Sequence, residues 1–308
     1  PDQGADVVPI RRDNWSLASA MDFRRQLVEV QPDMLHIQYP SVGYGRSFLP
    51  ALTPYLLPKT PLVVTLHEFE VFKSYRWPWF YPFAKRAEAR LFSRAGEADA
   101  FAKRFPKRSG RDLIVPIGSN IPVAPKQTRI SGGTAFFGLF WPGKGLEEFL
   151  KFAEIMKSKS DGKEKLAVIG APVAGQEAFS TFIREKTSEL GVALHEGLPP
   201  EEVALKLAEH EFAYLPFPDG VDERRGSLAA AIVNGCIVIT RHGPQTPDWL
   251  VEATVNAETP EAAADLLQSE LTSSEVKVGL QATTAMAAKR YDWSQIARQH
   301  AELYRQLV

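Results

Sequence analysis

The sequence predicts an α/β protein with two Rossmann-like domains, each a parallel β-sheet with helices on its faces. Its 308 residues are more than one domain of usual size holds. Short β-branched runs alternate with longer amphipathic stretches along most of the chain, and this alternation is typical of parallel sheets. A composition of 44% apolar and 24% charged residues is that of a soluble, globular chain.

Composition also narrows the partners and the compartment. The net charge of −1 gives no general attraction to nucleic acid. Cys236 is the only cysteine, so no internal disulfide can form, which fits a reducing compartment. No apolar run approaches the roughly 18 residues of a membrane span, and no signal peptide is visible. We expect a cytoplasmic protein, and since the chain begins at Pro1 rather than methionine, we expect further residues upstream.

The N-terminal domain is predicted to cover residues 1–122. Its predicted strands, recognised as short β-branched or apolar runs, are 6–10, 34–39, 62–66 and the strand and turn at 113–122. Its predicted helices are 16–30, 47–57 and 97–103. His36 and His67 lie at or near strand ends, where parallel sheets bind their ligands.

Residues 123–133 are rich in Pro, Lys, Gln, Ser and Gly and show no periodicity, so they are predicted to be the interdomain linker. The C-terminal domain then covers residues 134–308. Its predicted strands are 134–138, 165–170, 212–216 and 236–240. Its predicted helices are 146–156, 176–190, 200–209, 228–233, 260–268 and 293–307.

One loop–helix–strand unit, residues 217–240, concentrates the polar chemistry. Gly226 and Ser227 begin its Ala-rich helix, and two acids and two arginines come directly before them: Asp222, Glu223, Arg224 and Arg225. A helix N-terminus presents free N–H groups and suits a phosphate, to which arginines add bidentate donors. A carboxylate such as Glu223 can accept hydrogen bonds from sugar hydroxyls. The alternative is an ordinary crossover with a solvated charge run.

A second phosphate-binding candidate runs from Gly138 to Gly145, after a strand and before a helix. It nearly matches a P-loop, but Gly145 stands where the hydroxyl residue that binds magnesium is required. A P-loop NTPase is therefore excluded, and Lys144 remains as a phosphate ligand beside a helix start. No Asp-x-Asp pair, no dinucleotide fingerprint and no histidine spacing for a metal is present. We expect no metal site and no bound cofactor.

Three motifs together resemble the retaining GT-B glycosyltransferases of the family-4 type. The first, in the N-terminal half, comprises His-Ile-Gln-Tyr-Pro at 36–40, Gly-Tyr-Gly-Arg-Ser at 43–47 and Val-Thr-Leu-His-Glu-Phe at 64–69. The others are Gly138 with Lys144-Gly145, and Glu223 with Gly226. The resemblance implies two domains facing across a cleft and metal-independent sugar transfer with retention. The donor would be a nucleotide-diphosphate sugar and the acceptor a sugar, glycan or lipid-linked molecule.

The resemblance also assigns roles to residues. It implies catalytic roles for His67 and Glu223, and acceptor-side positions for Tyr44, Arg46 and Ser47. The donor-binding residues that it implies are Gly138, Lys144, Gly145, Arg224, Arg225, Gly226, Ser227 and Leu228.

The chain departs from the family pattern at several points. Leu139 replaces an arginine that binds the diphosphate, and Ala231 replaces a glutamate that holds the ribose. A first strand with its Gly-rich turn, and a Val/Ile strand after residue 95, are not found, so the N-terminal domain is expected to be incomplete. We hypothesise that Arg224 or Arg225 supplies the missing cation. The alternative is a non-catalytic GT-B relic or scaffold subunit.

Residues 73–112 are strongly basic, with eleven lysines and arginines against four acids, a net charge of +7. Aromatic residues, Trp77, Trp79 and Phe80 among them, interleave with the start of this charge. One interpretation is a peripheral contact with an anionic membrane. The other is a solvated helix whose aromatic side chains enter the core.

Overall fold

Two units, each with its own parallel sheet, make up the computed structural model, which describes residues 11–40, 44–45, 47–67, 69–71, 74–159 and 165–308. The first unit comprises Pro1–Val115 and His300–Val308, and the second comprises Pro116–Gln299. Residues 116–133, which hold the end of the predicted N-terminal domain and the predicted linker, thus lie in the second unit. The end of the chain belongs with the first unit, although its sequence position suggested the second.

The first unit has four parallel strands in the order β1–β2–β3–β4. The strands are β1 (Leu35–Tyr39), β2 (Leu62–Leu66), β3 (Ala89–Phe92) and β4 (Arg111–Ile114). The helices are α1 (Ala20–Val30), α2 (Leu49–Leu56), α3 (Tyr81–Arg86) and α4 (Ala95–Arg104). An aromatic core that includes Phe80, Phe83 and Phe101 packs on one face of the sheet, and Leu303 packs on the other.

The strand that the family pattern places after residue 95 is present in this unit, but it lies earlier in the sequence, at Ala89–Phe92. Strand β3 carries Arg90 at its centre, and this charged residue concealed it from the hydrophobic pattern. Arg90 is fully buried, and its Nε donates to Asp112 Oδ1 at 2.6 Å while its Nη2 donates to the Ser109 carbonyl at 2.6 Å. The predicted strand at 6–10 lies outside the described residues.

The second unit has six parallel strands in the order β10–β9–β8–β5–β6–β7. The strands are β5 (Ile130–Phe140), β6 (Leu166–Pro172), β7 (Ala193–Glu196), β8 (His210–Leu215), β9 (Ile237–Thr240) and β10 (Thr254–Asn256). The helices are α5 (Leu146–Lys159), α6 (Glu177–Leu190), α7 (Pro200–Glu209), α8 (Gly226–Val233), α9 (Asp248–Ala253), α10 (Pro260–Gln268) and α11 (Ser274–Ala288). The last helix, α12 (Trp293–Arg305), begins in the second unit, and its residues from His300 onward belong to the first.

The strand order of this sheet fixes where a ligand can bind. The chain runs outward from β5 through β6 to β7, and then from β8 through β9 to β10 in the other direction. The strand order therefore reverses between β5 and β8, and crevices at the carboxyl ends of such strands are the ligand sites of open α/β sheets. The fold places the loops at 141–145 and 216–225 at this point.

Candidate functional site

A cavity of about 320 Å³ opens at the carboxyl ends of β5 and β8. Six of the eight residues predicted to bind a donor line it: Gly138, Lys144, Arg224, Arg225, Gly226 and Ser227. Lys144 is exposed, and Ser227 lies in the first turn of α8. The structure thus brings together the two phosphate-binding candidates, which are about 80 residues apart in the sequence.

Both arginines that precede α8 contact Asp222, but Arg225 only at 4.0 Å, whereas Arg224 is hydrogen-bonded to it. Arg224 Nη2 lies 3.0 Å from Asp222 Oδ2, and the Arg224 backbone N–H donates to Asp222 Oδ1 at 3.0 Å. Burial raises the pKa of Asp222, but the hydrogen bonds from Arg224 outweigh it and lower the pKa below its ordinary value. Arg225 lies over the Phe217 ring, 4.9 Å from its centroid. Asp222 therefore stays ionised and keeps the Arg224 guanidinium oriented at the cavity wall.

A second cavity of about 510 Å³ shares six lining residues with the first, Gly138, Leu139 and Arg224 among them. Its remaining wall is mostly apolar and comes from distant segments of the second unit: Ile117, Gly118, Asn120, Ile121, Gly170, Ala171, Leu198, Pro200 and Val203. Sequence reasoning missed these residues because each segment reads as ordinary core or loop. Leu139 stands between the two cavities with 59% of its surface exposed.

The glycines at this site serve two different purposes. Gly145 has a φ of +96°, and a Cβ there would lie 2.4 Å from the Pro216 carbonyl oxygen. Its small size therefore lets the start of α5 approach the end of β8. At Gly226, by contrast, a Cβ would meet no atom within 4 Å. The open space at Gly226 leaves the α8 backbone accessible from both cavities.

We expect these two glycines to respond in opposite ways to alanine. Gly145→Ala should lower the free energy of unfolding by roughly 1–3 kcal/mol, since it strains the backbone and meets Pro216. Gly226→Ala should leave it unchanged or raise it by about 0.4–1 kcal/mol, because alanine restricts the unfolded chain and fits the helix. Urea unfolding of the two variants measures both effects. Equal destabilisation by both would contradict the steric assignment.

Three of the predicted site residues in this unit, Gly145, Glu223 and Leu228, do not line either cavity. Glu223 is buried, and the Leu228 side chain is fully buried in the core. Tyr291, which the sequence analysis missed, lies near Glu223: burial first, and then the Glu223 and Asp222 carboxylates, raise the pKa of its hydroxyl. Ala231 is fully buried, so this position offers no side chain to a ribose.

In the first unit, His67 directly follows strand β2 and is partly buried. Its Nε2 lies 2.8 Å from Gln38 Oε1, and its backbone N–H donates to the Tyr39 carbonyl at 2.8 Å. These contacts fix both the backbone and the ring of His67 beside the end of β1.

The acceptor-side candidates have mainly structural contacts in this unit. Tyr44 packs edge-on against Trp15 at 4.7 Å between ring centroids, and burial raises the pKa of its hydroxyl. The Ser47 hydroxyl donates to the Trp15 carbonyl and accepts from the Leu49 N–H at 2.9 Å, at the start of α2. Arg46 lies outside the described residues.

Two features are absent from the residues that the structure describes. No group of three or more His, Cys, Asp or Glu side chains in this part of the chain is arranged to hold a metal ion. Within the same residues, no helix is long and apolar enough to cross a membrane.

Comparison with solved structures shows that the fold is that of GT-B glycosyltransferases. A pneumococcal O-GlcNAc transferase, GtfA, superposes with a TM-score of 0.67 at 11% identity over 92% of this chain. HepE from Anabaena gives 0.65 at 13% identity over 95% of this chain and 84% of its own. A glycosyltransferase from Rickettsia africae gives 0.70 at 10% identity over 94% and 81%.

The chain spans 59% of the length of the pneumococcal protein. No protein-family model matches the chain, and no curated protein matches it by sequence. At these identities, the likeness to the solved structures establishes the fold.

Proposed function

We propose that this protein is a retaining glycosyltransferase of the family-4 type, which moves a sugar from a nucleotide-diphosphate sugar to an acceptor. The observation that carries the proposal is the cavity where Lys144, Arg224 and the N-terminus of α8 converge. A diphosphate leaving group needs stabilisation of its growing negative charge, and preorganised cations and helix N–H groups provide it. These groups are proposed to make a metal ion unnecessary.

Arg224 is the better replacement for the arginine that Leu139 displaces. It lines both cavities and is oriented by Asp222, whereas Arg225 lies over Phe217 and lines only the first cavity. An arginine held by an ionised carboxylate loses little conformational freedom when it binds an anion. We therefore assign Arg224 as the second diphosphate cation beside Lys144.

The second cavity is proposed to take the nucleoside. It adjoins the first at Gly138 and Arg224, and an apolar wall with few polar groups is typical of sites for aromatic ligands. Its volume of about 510 Å³ accommodates such a group. With the phosphates in the first cavity and the nucleoside in the second, Gly226 allows close approach of both to α8.

The catalytic roles of His67 and Glu223 are proposals drawn from the family resemblance. Glu223 is proposed to hold the transferred sugar, and His67 to contact it during transfer. A non-catalytic binding subunit is the competing function, and the buried Ala231 and the exposed Leu139 favour it because each removes a contact to the donor. The two functions differ in turnover rather than in nucleotide binding.

The experiment begins with a thermal-shift screen of the full chain against UDP-, GDP-, ADP- and dTDP-sugars. UDP-sugars come first because HepE was solved with UDP and glucose. The stabilising donor is then incubated with sugar and lipid-linked acceptors, and proton NMR of the product reports the anomeric configuration. Retained configuration, with turnover lost in His67→Ala but donor binding kept, supports the enzyme. Binding without turnover on any acceptor supports the scaffold.

The basic segment at 73–112 is less basic on its surface than its sequence suggests. Arg90 and Arg108 pair with Asp112, and Arg94 pairs with Glu70 and Glu97. Of its aromatic residues, Phe80 is buried, whereas Trp77 and Trp79 are partly buried against the core. The exposed cations that remain on α3 and α4 and after them are Lys85, Arg86, Lys103, Arg104, Lys107 and Arg111.

We propose a weak contact of this surface with anionic lipid, which would suit a lipid-linked acceptor. Each basic residue near such a surface contributes about 1 kcal/mol, and salt screens it. Lys103→Ala with Lys107→Ala should reduce co-sedimentation with phosphatidylserine vesicles at low salt by roughly tenfold or more. The matched control is Lys126→Ala with Lys151→Ala, which removes two exposed lysines of the second unit. No binding by the parent protein at low salt would exclude the contact.

A further inference from the structure

One face of the first sheet carries a line of polar side chains. His36 and Gln38 alternate along β1, and Thr65 and then His67 continue along and beyond β2. The register places Gln38 directly beside Thr65. Parallel sheets are usually apolar on both faces because helices cover them, so this polar line points to chemistry rather than packing.

Hydrogen bonds join these side chains into one chain of contacts. Gln38 Nε2 lies 3.2 Å from Thr65 Oγ1 and 3.3 Å from His36 Nε2, while Gln38 Oε1 lies 2.8 Å from His67 Nε2. His36 Nε2 lies 2.8 Å from Thr65 Oγ1, and His36 Nδ1 lies 2.5 Å from the Tyr304 hydroxyl.

The chemistry of the donor and acceptor atoms fixes the direction of these hydrogen bonds. The Gln38 amide nitrogen can only donate, so Thr65 Oγ1 and His36 Nε2 accept from it. The Gln38 carbonyl oxygen can only accept, so His67 Nε2 must carry a proton and donate. With Nε2 of His36 as acceptor, its Nδ1–H donates to Tyr304.

The state of His36 agrees with this direction. Burial first, and then the nearby His300 and His67 rings, lower its pKa to about 4. His36 is therefore neutral at physiological pH and carries a single N–H. His300 and Tyr304 both pack against His36, each 5.7 Å away between ring centroids, and the two also contact each other.

We propose that Gln38 is a positioning residue that fixes His67 as its Nε2–H tautomer, with Thr65 and His36 holding the Gln38 amide in the required orientation. The proton on Nε2 places the ring lone pair on Nδ1. The role of this tautomer in sugar transfer rests on the proposed function, whereas the tautomer itself does not. Without the Gln38 oxygen, a neutral imidazole can carry its proton on either ring nitrogen.

The test compares two substitutions of Gln38. Gln38→Met keeps the length of the side chain but removes the acceptor, so His67 should populate both tautomers. Gln38→Glu keeps an acceptor oxygen beside Nε2, so the Nε2–H tautomer should persist. Gln295→Met, an exposed glutamine on α12, is the matched control.

Long-range nitrogen–proton NMR spectra of the full chain, labelled with ¹⁵N-histidine, report the tautomers directly. Recorded at about pH 8, above the ordinary histidine pKa, and assigned with His67→Gln, they should show Nε2–H for His67 in the parent and in Gln38→Glu. In Gln38→Met, turnover should fall roughly tenfold while nucleotide affinity stays unchanged. Gln38→Glu should keep most of the turnover.

Either of two results overturns the proposal: an Nδ1–H tautomer of His67 in the parent, or a Gln38→Met protein with the parent's tautomer. If no nucleotide sugar supports turnover, the proposed function fails, yet the spectra still decide the tautomer. If turnover is present and the spectra disagree, the positioning role alone is wrong.

Discussion

Lys144→Ala is expected to weaken nucleoside-diphosphate binding by roughly 1.5–3 kcal/mol, the scale of a charge-assisted hydrogen bond, and Arg224→Leu should do the same. Both residues line the first cavity. Because they are proposed to bind one ligand, the double variant should lose binding by about 100-fold or more. Isothermal titration calorimetry with the diphosphate identified in the donor screen measures each loss.

A rescue experiment tests whether Arg224 replaces the cation that Leu139 displaces. Leu139 is largely exposed beside the same cavity, so an arginine there has room to reach the phosphates. Leu139→Arg in the Arg224→Leu background should bind the diphosphate at least tenfold more tightly than Arg224→Leu alone. Lys151→Ala, on the outer side of α5, is the charge-matched control for the single losses. Parent-like affinity in both Lys144→Ala and Arg224→Leu would refute the phosphate assignment.

The largest effect on stability is expected at Arg90. Arg90→Met removes a fully buried cation and leaves the Asp112 carboxylate and the Ser109 and Phe83 carbonyls without its hydrogen bonds. Breaking a buried ion pair from one side lowers the free energy of unfolding by roughly 3–5 kcal/mol. Urea unfolding followed by fluorescence, with Trp77 and Trp79 as reporters in the first unit, measures the change.

Two further variants test whether the loss of stability comes from the buried ion pair. Arg86→Met removes an exposed arginine that donates to the Pro58 carbonyl at 3.3 Å, and it should change stability by less than about 1 kcal/mol. Arg90→Met combined with Asp112→Leu replaces the pair by apolar side chains, and it should recover part of the loss. A small loss in Arg90→Met alone would show that the network contributes little to the first unit.

Most of the fold could be predicted because its strands have a plain chemical signature. Strand β9 is a continuous β-branched run and is fully buried, and β2 is a run of leucine and β-branched residues that is buried except at Thr65. Strand β3 escaped because Arg90 interrupts its pattern, and no local signal shows that Asp112 neutralises it across the sheet. The edge strands β7 and β10 are short, so their sequences carry little periodicity.

The site, like the fold, could be predicted from the sequence only in part. Lys144 and Gly226 could be placed at the cavity because each begins a helix after a strand, a local feature that topology brings to one sheet edge. The wall of the second cavity could not be predicted, since Ile117, Leu198 and Val203 come together only through the tertiary fold. Gly145 illustrates a further limit: its motif suggested phosphate contact, and the structure adds a steric reason for glycine.

Calorimetric titration of the full chain with UDP, GDP, ADP and dTDP, in the presence of a chelator, decides whether the first cavity binds a nucleoside diphosphate without metal. We expect at least one diphosphate to bind with a stoichiometry of about one, tenfold or more tighter than its monophosphate. Gly226→Leu, which fills the open space at the start of α8 while the fold is kept, should abolish that binding. No binding by any of the four, or equal binding by the parent and Gly226→Leu, would show that this cavity is not a nucleoside-diphosphate site.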